Sequence, residues 1–235
     1  LENARPELKV FEYKNGVLLN AVNSLINLTD IDGEFFPLND AQKGMSYYSR
    51  ELVAAIDIAY HYGDKNPQLF SVAENQGAVT LDDAGFEVAK AIEEGLAKPF
   101  KRKSIEFTDG PQGDEGGITV LHNGKDQKGL CLVSKYTAQG NSHGHYDKLS
   151  FMLNFKGEEV IQDYGAARFV NISQKSGGSQ SGVYLDENFS FAKLTIAHNT
   201  LSVDEEVHFG RDYRVASKNH AEKYFSELSN DGHQI

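Results

Sequence analysis

Apolar residues recur at three and four positions over about Leu8–Asn27, where Leu8, Phe11, Leu18, Leu19, Val22, Leu25 and Ile26 predict a helix. Gly16 interrupts the early part, so the regular helix is expected to begin after it. Asp30–Gly33 reads as a turn and Glu34–Gly44, with Pro37 and Asn39-Asp40, as an irregular connection. A second helix is predicted over Ser49–His61, with an inner stripe of Leu52, Val53, Ile56, Ala59 and Tyr60 and a stop at Gly63. A short helix follows Pro67, which suits a first helical position. A fourth runs from Asp82 or Asp83 to about Leu96, its buried side assigned to Phe86, Val88, Ala89 and Ile92.

The period changes after Pro99. Strands are predicted at Ser104–Thr108, Gly117–His122, Gly129–Lys135, Leu149–Phe155, Glu159–Asp163 and Lys193–Val203. Glycine turns at Asp109-Gly110, Asn123-Gly124 and Lys156-Gly157 separate several of them. Lys175–Gly182 is a flexible loop by composition, and Tyr224, Phe225 and Leu228 extend as a further strand. Helices followed by antiparallel strands define an α+β chain, divided at about residues 1–97 and 98–235.

The formal net charge of −11 argues against nucleic acid as a partner. It also disfavours long-range steering of a polyanion, although screening confines such fields to about 8 Å at physiological salt and leaves room for a local basic site. No apolar run approaches the ~20 residues that span a membrane. The single cysteine, Cys131, lies between Leu130 and Leu132 and reads as a small buried hydrophobe, so it does not decide the compartment. The chain opens on Leu1-Glu2-Asn3, with no signal peptide, and reads as a processed chain or a piece of one.

The chemistry gathers around Asn141-Ser142-His143-Gly144-His145-Tyr146-Asp147-Lys148-Leu149-Ser150. With Asp163 and His198, His145 would give two imidazoles and one carboxylate, a common set of Zn²⁺ ligands. Spacing alone does not assemble them. A tight hairpin at Lys156-Gly157 pairs Phe155 with Glu158 and therefore Ser150 with Asp163, which leaves His145 five residues away, about 17 Å along a strand. The segment before Lys148 must fold back for the two to meet. His198 is expected on a strand face shared with Leu194 and Ile196, and Asp147 is expected to cap a local turn.

The runs HGHYDKLSFMLNFKGEEVIQDYGAARF (His143–Phe169) and YLDENFSFAKLTIAHNTLSVDE (Tyr184–Glu205) resemble the C-terminal half of heparinase II/III-type polysaccharide lyases, and within them the oligoalginate lyases. The resemblance implies the last helices of an incomplete α/α toroid followed by part of an antiparallel β-sandwich, with the active site in the cleft between. It implies β-elimination on an acidic polysaccharide or oligosaccharide, with oligoalginate favoured. A heparin- or heparan-type substrate, a zinc-dependent hydrolase and a non-catalytic sugar-binding domain are the alternatives.

On the matching positions, Tyr184 is the catalytic tyrosine. His143 lines the substrate cleft or, alternatively, hydrogen-bonds the metal site. Arg168 grips the uronate carboxylate through paired hydrogen bonds. His145, Asp163 and His198 bind a structural zinc. A periplasmic bacterial location is implied, and a homodimer is left open. The family's remaining catalytic residues, an Asn-His pair and another tyrosine, come from toroid helices ahead of anything in this chain. No Asn-His dipeptide precedes Asn219-His220. The expectation is that these 235 residues alone have little or no lyase activity.

Overall fold

The structure is a computed structural model, and it describes residues 2–123, 129–139, 142–166 and 187–225. The chain divides into two compact units, one of Leu1–Thr29 and Ser46–Arg102, the other of Asp30–Met45 and Lys103–Ile235. The stretch read from the sequence as an irregular connection between helices thus belongs to the second unit.

The first unit is helical. Helix α1 spans Tyr13–Asn27, but Lys14, Asn15 and Gly16 take left-handed conformations, so the regular helix begins at Val17. Helix α2, Arg50–Tyr62, starts where the Ser49 side chain accepts from the Leu52 amide. Helix α3, Pro67–Gln76, is capped by Asn66 and closed by Gly77 in the left-handed region. Asp82 caps helix α4, Asp83–Glu93, by accepting from the Gly85 amide.

Ile26, Tyr47, Ile56, Tyr60, Leu69, Phe70 and Val88 are among the buried residues that form one core. The stripe predicted for α2 is the buried one. That predicted for α4 is corrected: Ala84, Gly85, Val88 and Ala91 are buried, whereas Phe86 is 72% exposed and Ala89 is exposed. A stripe through 84, 88 and 91 puts residue 86 about 200° around the helix, on the solvent side.

The second unit is built on a five-stranded antiparallel meander, β1 Ile105–Thr108, β2 Gly117–Asn123, β3 Leu130–Lys135, β4 Ser150–Phe155 and β5 Glu158–Ile161, in sequential order. Lys156 and Gly157 both have positive φ, which suits a two-residue turn with the twist of the strands, and Phe155 pairs with Glu158 as expected. The register then slips. Leu153 faces Ile161 and Asn154 faces Glu159, so Val160 is an extra residue and the expected Ser150–Asp163 pairing does not form.

Alternation along β2, β3 and β4 buries one face through Val120, Val133 and Met152, with Cys131 buried beside His122 and Asn154. The unit is α+β in class with the first, and its described residues form a single sheet.

Two predicted strands are corrected. Lys193–Val203 contains a 3₁₀ turn at Thr195–Ala197, with the Ala197 and His198 amides bonded back to Leu194 and Thr195. The β-branched run is overridden by its own side-chain bonds: the Thr195 hydroxyl donates to Tyr146 O and accepts from the His208 amide. His198 therefore does not share a strand face with its neighbours. Leu194 is buried and Ile196 is exposed. Tyr224 and Phe225 are exposed and lie in no strand, and Leu228 lies outside the described residues.

Asp57 offers a test of the helical unit. It is fully buried on α2, where Oδ2 accepts from the Thr80 amide at 2.6 Å and the Thr80 hydroxyl at 2.9 Å, and Oδ1 has no hydrogen-bond partner. Burial pushes its carboxyl above the ordinary 3.8, against the pull of Thr80. A folded-state pKa above the unfolded one gives a contribution that is fully present below the unfolded value and is lost as pH rises through the folded one. Asp57→Asn keeps an acceptor for Thr80 and removes that loss. It should flatten the fall in stability above about pH 4 and be no less stable than the parent at neutral pH. Asp57→Ala should cost about 1–3 kcal/mol. Urea unfolding across pH 4–7 measures both.

Candidate functional site

The HGHYDK segment leaves β3 and returns to β4 through a reversal that places Leu149 at positive φ, with the Ser150 amide bonded to Asp147 O. Gly144 is required by crowding: a Cβ there would lie 1.7 Å from Gln139 O. Residues 193–195 clamp the segment from outside, through Tyr146 N–H to Lys193 O (2.8 Å) and Thr195 Oγ1 to Tyr146 O (2.7 Å).

The fold-back needed to bring the predicted ligands together is present. The rings of His145 and His198 are 5.2 Å apart at their centroids, and His198 Nδ1 lies 2.6 Å from Asp163 Oδ2. Asp163 Oδ1 accepts from the Gly165 amide at 2.9 Å, so its carboxylate acts here as an orienting group for His198. Among the described residues, no three His, Cys, Asp or Glu side chains are arranged as a metal cage. What fits a metal is narrower. His145 Nδ1 and His198 Nε2 are buried nitrogens with no hydrogen-bond partner, the chemistry of two inward lone pairs.

One residue the sequence reading passed over holds the centre. Asp40, with its side chain 4% exposed, contacts His145 Nε2, His143 Nδ1 and Lys193 Nζ at 3.0 Å each, and accepts from Asn188 Nδ2 at 3.2 Å. Burial pushes its carboxyl up, but the bonds from His145, Lys193, Asn188 and His143 outweigh burial and hold it well below the usual carboxylate range. Burial also lowers the pKa of His145, against the pull of Asp40. His143 and His145, two residues apart, divide between environments: the first is 69% exposed and the second fully buried.

Asp147 does not cap a turn. Its two oxygens take Lys135 Nζ at 2.7 and 2.8 Å, both side chains are buried, and Lys135 also donates to Asn39 Oδ1. Burial pushes the Asp147 carboxyl up, but the Lys135 ammonium held against it outweighs burial and lowers it. Lys148, next in sequence, is pushed down to about 8 by burial and by the charge of Lys135. His208 bridges Lys148 N and Leu201 O and is structural. Tyr184 and Arg168 lie outside the described residues, as does the Lys175–Gly182 loop. Asp40, Lys193 and Lys135 carried no recognisable spacing: the first sits in a stretch that reads as a connection, the others within predicted strands.

A family model described as "Heparinase II/III-like, C-terminal" matches residues 107–234, more than half of the chain, and the chain belongs to this family. An exo-oligoalginate lyase from Saccharophagus degradans is 43% identical over all 235 residues, and an alginate lyase from Stenotrophomonas maltophilia is 45% identical over 216 residues, 91% of the chain. The chain spans 31% and 28% of the length of these two relatives. A solved heparinase III covers 76% of this chain and 22% of its own at 18% identity, with a TM-score of 0.47. No helix among the described residues is long and apolar enough to cross a membrane.

The Lys135–Asp147 pair yields a measurable expectation. Asp147→Ala strands a buried ammonium and should cost about 3–5 kcal/mol, whereas the double substitution Lys135→Met/Asp147→Leu should recover most of that loss. Denaturant unfolding of the single and double variants decides it. Equal losses in both would mean that the pair is not the source of the destabilisation.

Proposed function

We propose that the chain is part of a lyase that cleaves a uronate-containing oligosaccharide, with oligoalginate favoured, by β-elimination to unsaturated uronates. The observation that carries this reading is His143, an exposed imidazole seated on a buried carboxylate, within a chain close in sequence to two alginate-cleaving relatives. Elimination needs the uronate carboxylate neutralised, the C5 proton removed and the O4 oxygen protonated as the C4–O4 bond breaks. The electron pair of the C5–H bond becomes the C4–C5 double bond.

Arg168 is the carboxylate partner in this reading. Tyr184 exchanges the proton at C5 or O4, and His143 lines the sugar site and shares the acid–base work. The resemblance supports a periplasmic location.

A structural zinc is part of the same proposal. His145 Nδ1 and His198 Nε2 would supply its nitrogen donors. Asp163, expected as the oxygen donor, holds His198 Nδ1 at 2.6 Å in this structure and would bind the ion only on giving up that contact. The site would tie the loop between β3 and β4 to the segment around residue 198. Bound there, the ion would contribute stability. Elemental analysis of protein purified without chelator should find near-stoichiometric zinc, and His145→Ala should lose it together with thermal stability. Absence of any metal from the intact protein, or full stability in the variant, would refute the site.

The catalytic reading is tested in the protein as its source organism makes it, with rates on a defined oligouronate followed by the near-ultraviolet absorbance of the unsaturated product. Tyr184→Phe keeps the ring and loses the oxygen. It should lower turnover at least a hundredfold, about 2.7 kcal/mol of barrier, with melting temperature and metal content little changed. Arg168→Ala should impair binding and turnover together. A folded Tyr184→Phe protein retaining more than a third of the parent rate would remove Tyr184 from the mechanism.

A further inference from the structure

The carboxylate of Asp40 is an acceptor only, so each of its contacts fixes where a hydrogen sits. On Oδ1 it takes His145 Nε2 at 3.0 Å and Asn188 Nδ2 at 3.2 Å. On Oδ2 it takes His143 Nδ1 and Lys193 Nζ, both at 3.0 Å. Lys193 Nζ continues to Ser142 O at 2.5 Å, so the same carboxylate also anchors the backbone that leads into the two histidines. In a neutral imidazole one nitrogen carries the hydrogen and the other the lone pair. Asp40 therefore requires Nε2–H on His145, which leaves the lone pair on Nδ1, the buried atom without a partner. It requires Nδ1–H on His143, which leaves Nε2 as that ring's acceptor. Asp163 does the same for His198, taking its Nδ1 and leaving the lone pair on the buried Nε2.

We propose that Asp40 is a positioning residue that sets the tautomer and orientation of both imidazoles of the His-Gly-His motif from one carboxylate, the inner ring toward a metal and the outer ring toward the sugar. The tautomer assignment stands on the contacts alone; its metal and sugar consequences rest on the function proposed above. A carboxylate behind a ligating histidine typically contributes 10- to 100-fold in metal affinity.

The first measurement uses the unmodified full chain, metal-free and ¹⁵N-labelled, at a pH where the rings are neutral. Imidazole ¹⁵N shifts should show His145 protonated at Nε2 and His143 at Nδ1. Protonation of His145 at Nδ1 would overturn the proposal, and no variant has to fold for this result to be read.

The second measurement compares Asp40→Asn with the parent. One amide oxygen replaces two charged acceptors, so at least one imidazole should lose its fixed tautomer. Zn²⁺ affinity, read by competition with a chelator, should fall 10- to 100-fold while the helical and strand content stays unchanged. Parent-like tautomers and parent-like zinc affinity in Asp40→Asn would also overturn it. Should the unmodified chain bind no zinc, the metal reading fails on its own, and the ¹⁵N shifts still decide the role of Asp40.

Discussion

A carboxylate almost out of reach of water costs several kcal/mol unless donors replace its hydration shell. At Asp40 the replacement is complete: two imidazole nitrogens, one ammonium and one side-chain amide converge on two oxygens. Much of the second unit's local geometry follows from meeting this demand. Residues 30–45 must leave the helical unit to bring Asp40 in, and the flanking residues dock beside it, with Asn39 on Lys135 and Ala41 O accepting the Ala166 amide. Asn39 takes a left-handed φ of 54°, which asparagine tolerates better than most residues.

The second buried pair, Lys135–Asp147, works at the end of β3 and in the same loop as the histidines. Its attraction has to offset the desolvation of two ions, so it is a poor source of net stability. Its effect is one of register. Lys135 lies opposite Ser150 across the sheet and reaches both Asp147 and Asn39, so the strand end, the reversal before β4 and the 30–45 segment share one ammonium. A slip of one residue on β3 would move Lys135 to the opposite face and leave Asp147 buried without a cation. The sheet register and the position of the histidine loop are thereby set together.

Sequence periodicity revealed most of the framework and little of the centre. Ser49, Asn66 and Asp82 cap helices whose apolar stripes are plain, and Lys156-Gly157 fixes a hairpin, because these are local effects of side chain on backbone. The strand expected at Lys193–Val203 failed because the Thr195 hydroxyl donates to Tyr146 O and accepts from the His208 amide, partners distant in sequence that no propensity encodes. The bulge at Val160 escaped for the same reason, as it depends on what β5 meets rather than on its residues. Asp40 was illegible because an aspartate beside an asparagine in an aperiodic stretch looks like any solvated turn. Its burial is a property of the fold. The histidines were legible only as a motif, through resemblance.

The motif nevertheless has a physical logic that the structure makes explicit. Residues two apart in an extended segment share a side, but here the backbone turns at Ser142-His143 and Gly144 presses against Gln139, where no side chain fits, so the two rings part. One short segment thus presents one imidazole to solvent and buries the other completely. Left alone, the outer ring would sample several rotamers, since little packing restrains a group that is 69% exposed. The contact of its Nδ1 with Asp40 Oδ2 at 3.0 Å restricts that freedom. The outer imidazole shares its carboxylate with an inner one that is fully buried beside the ring of His198. In the function proposed above, an exposed imidazole seated on a buried carboxylate suits acid–base chemistry on a bound sugar, because proton transfer tolerates little error in distance or direction.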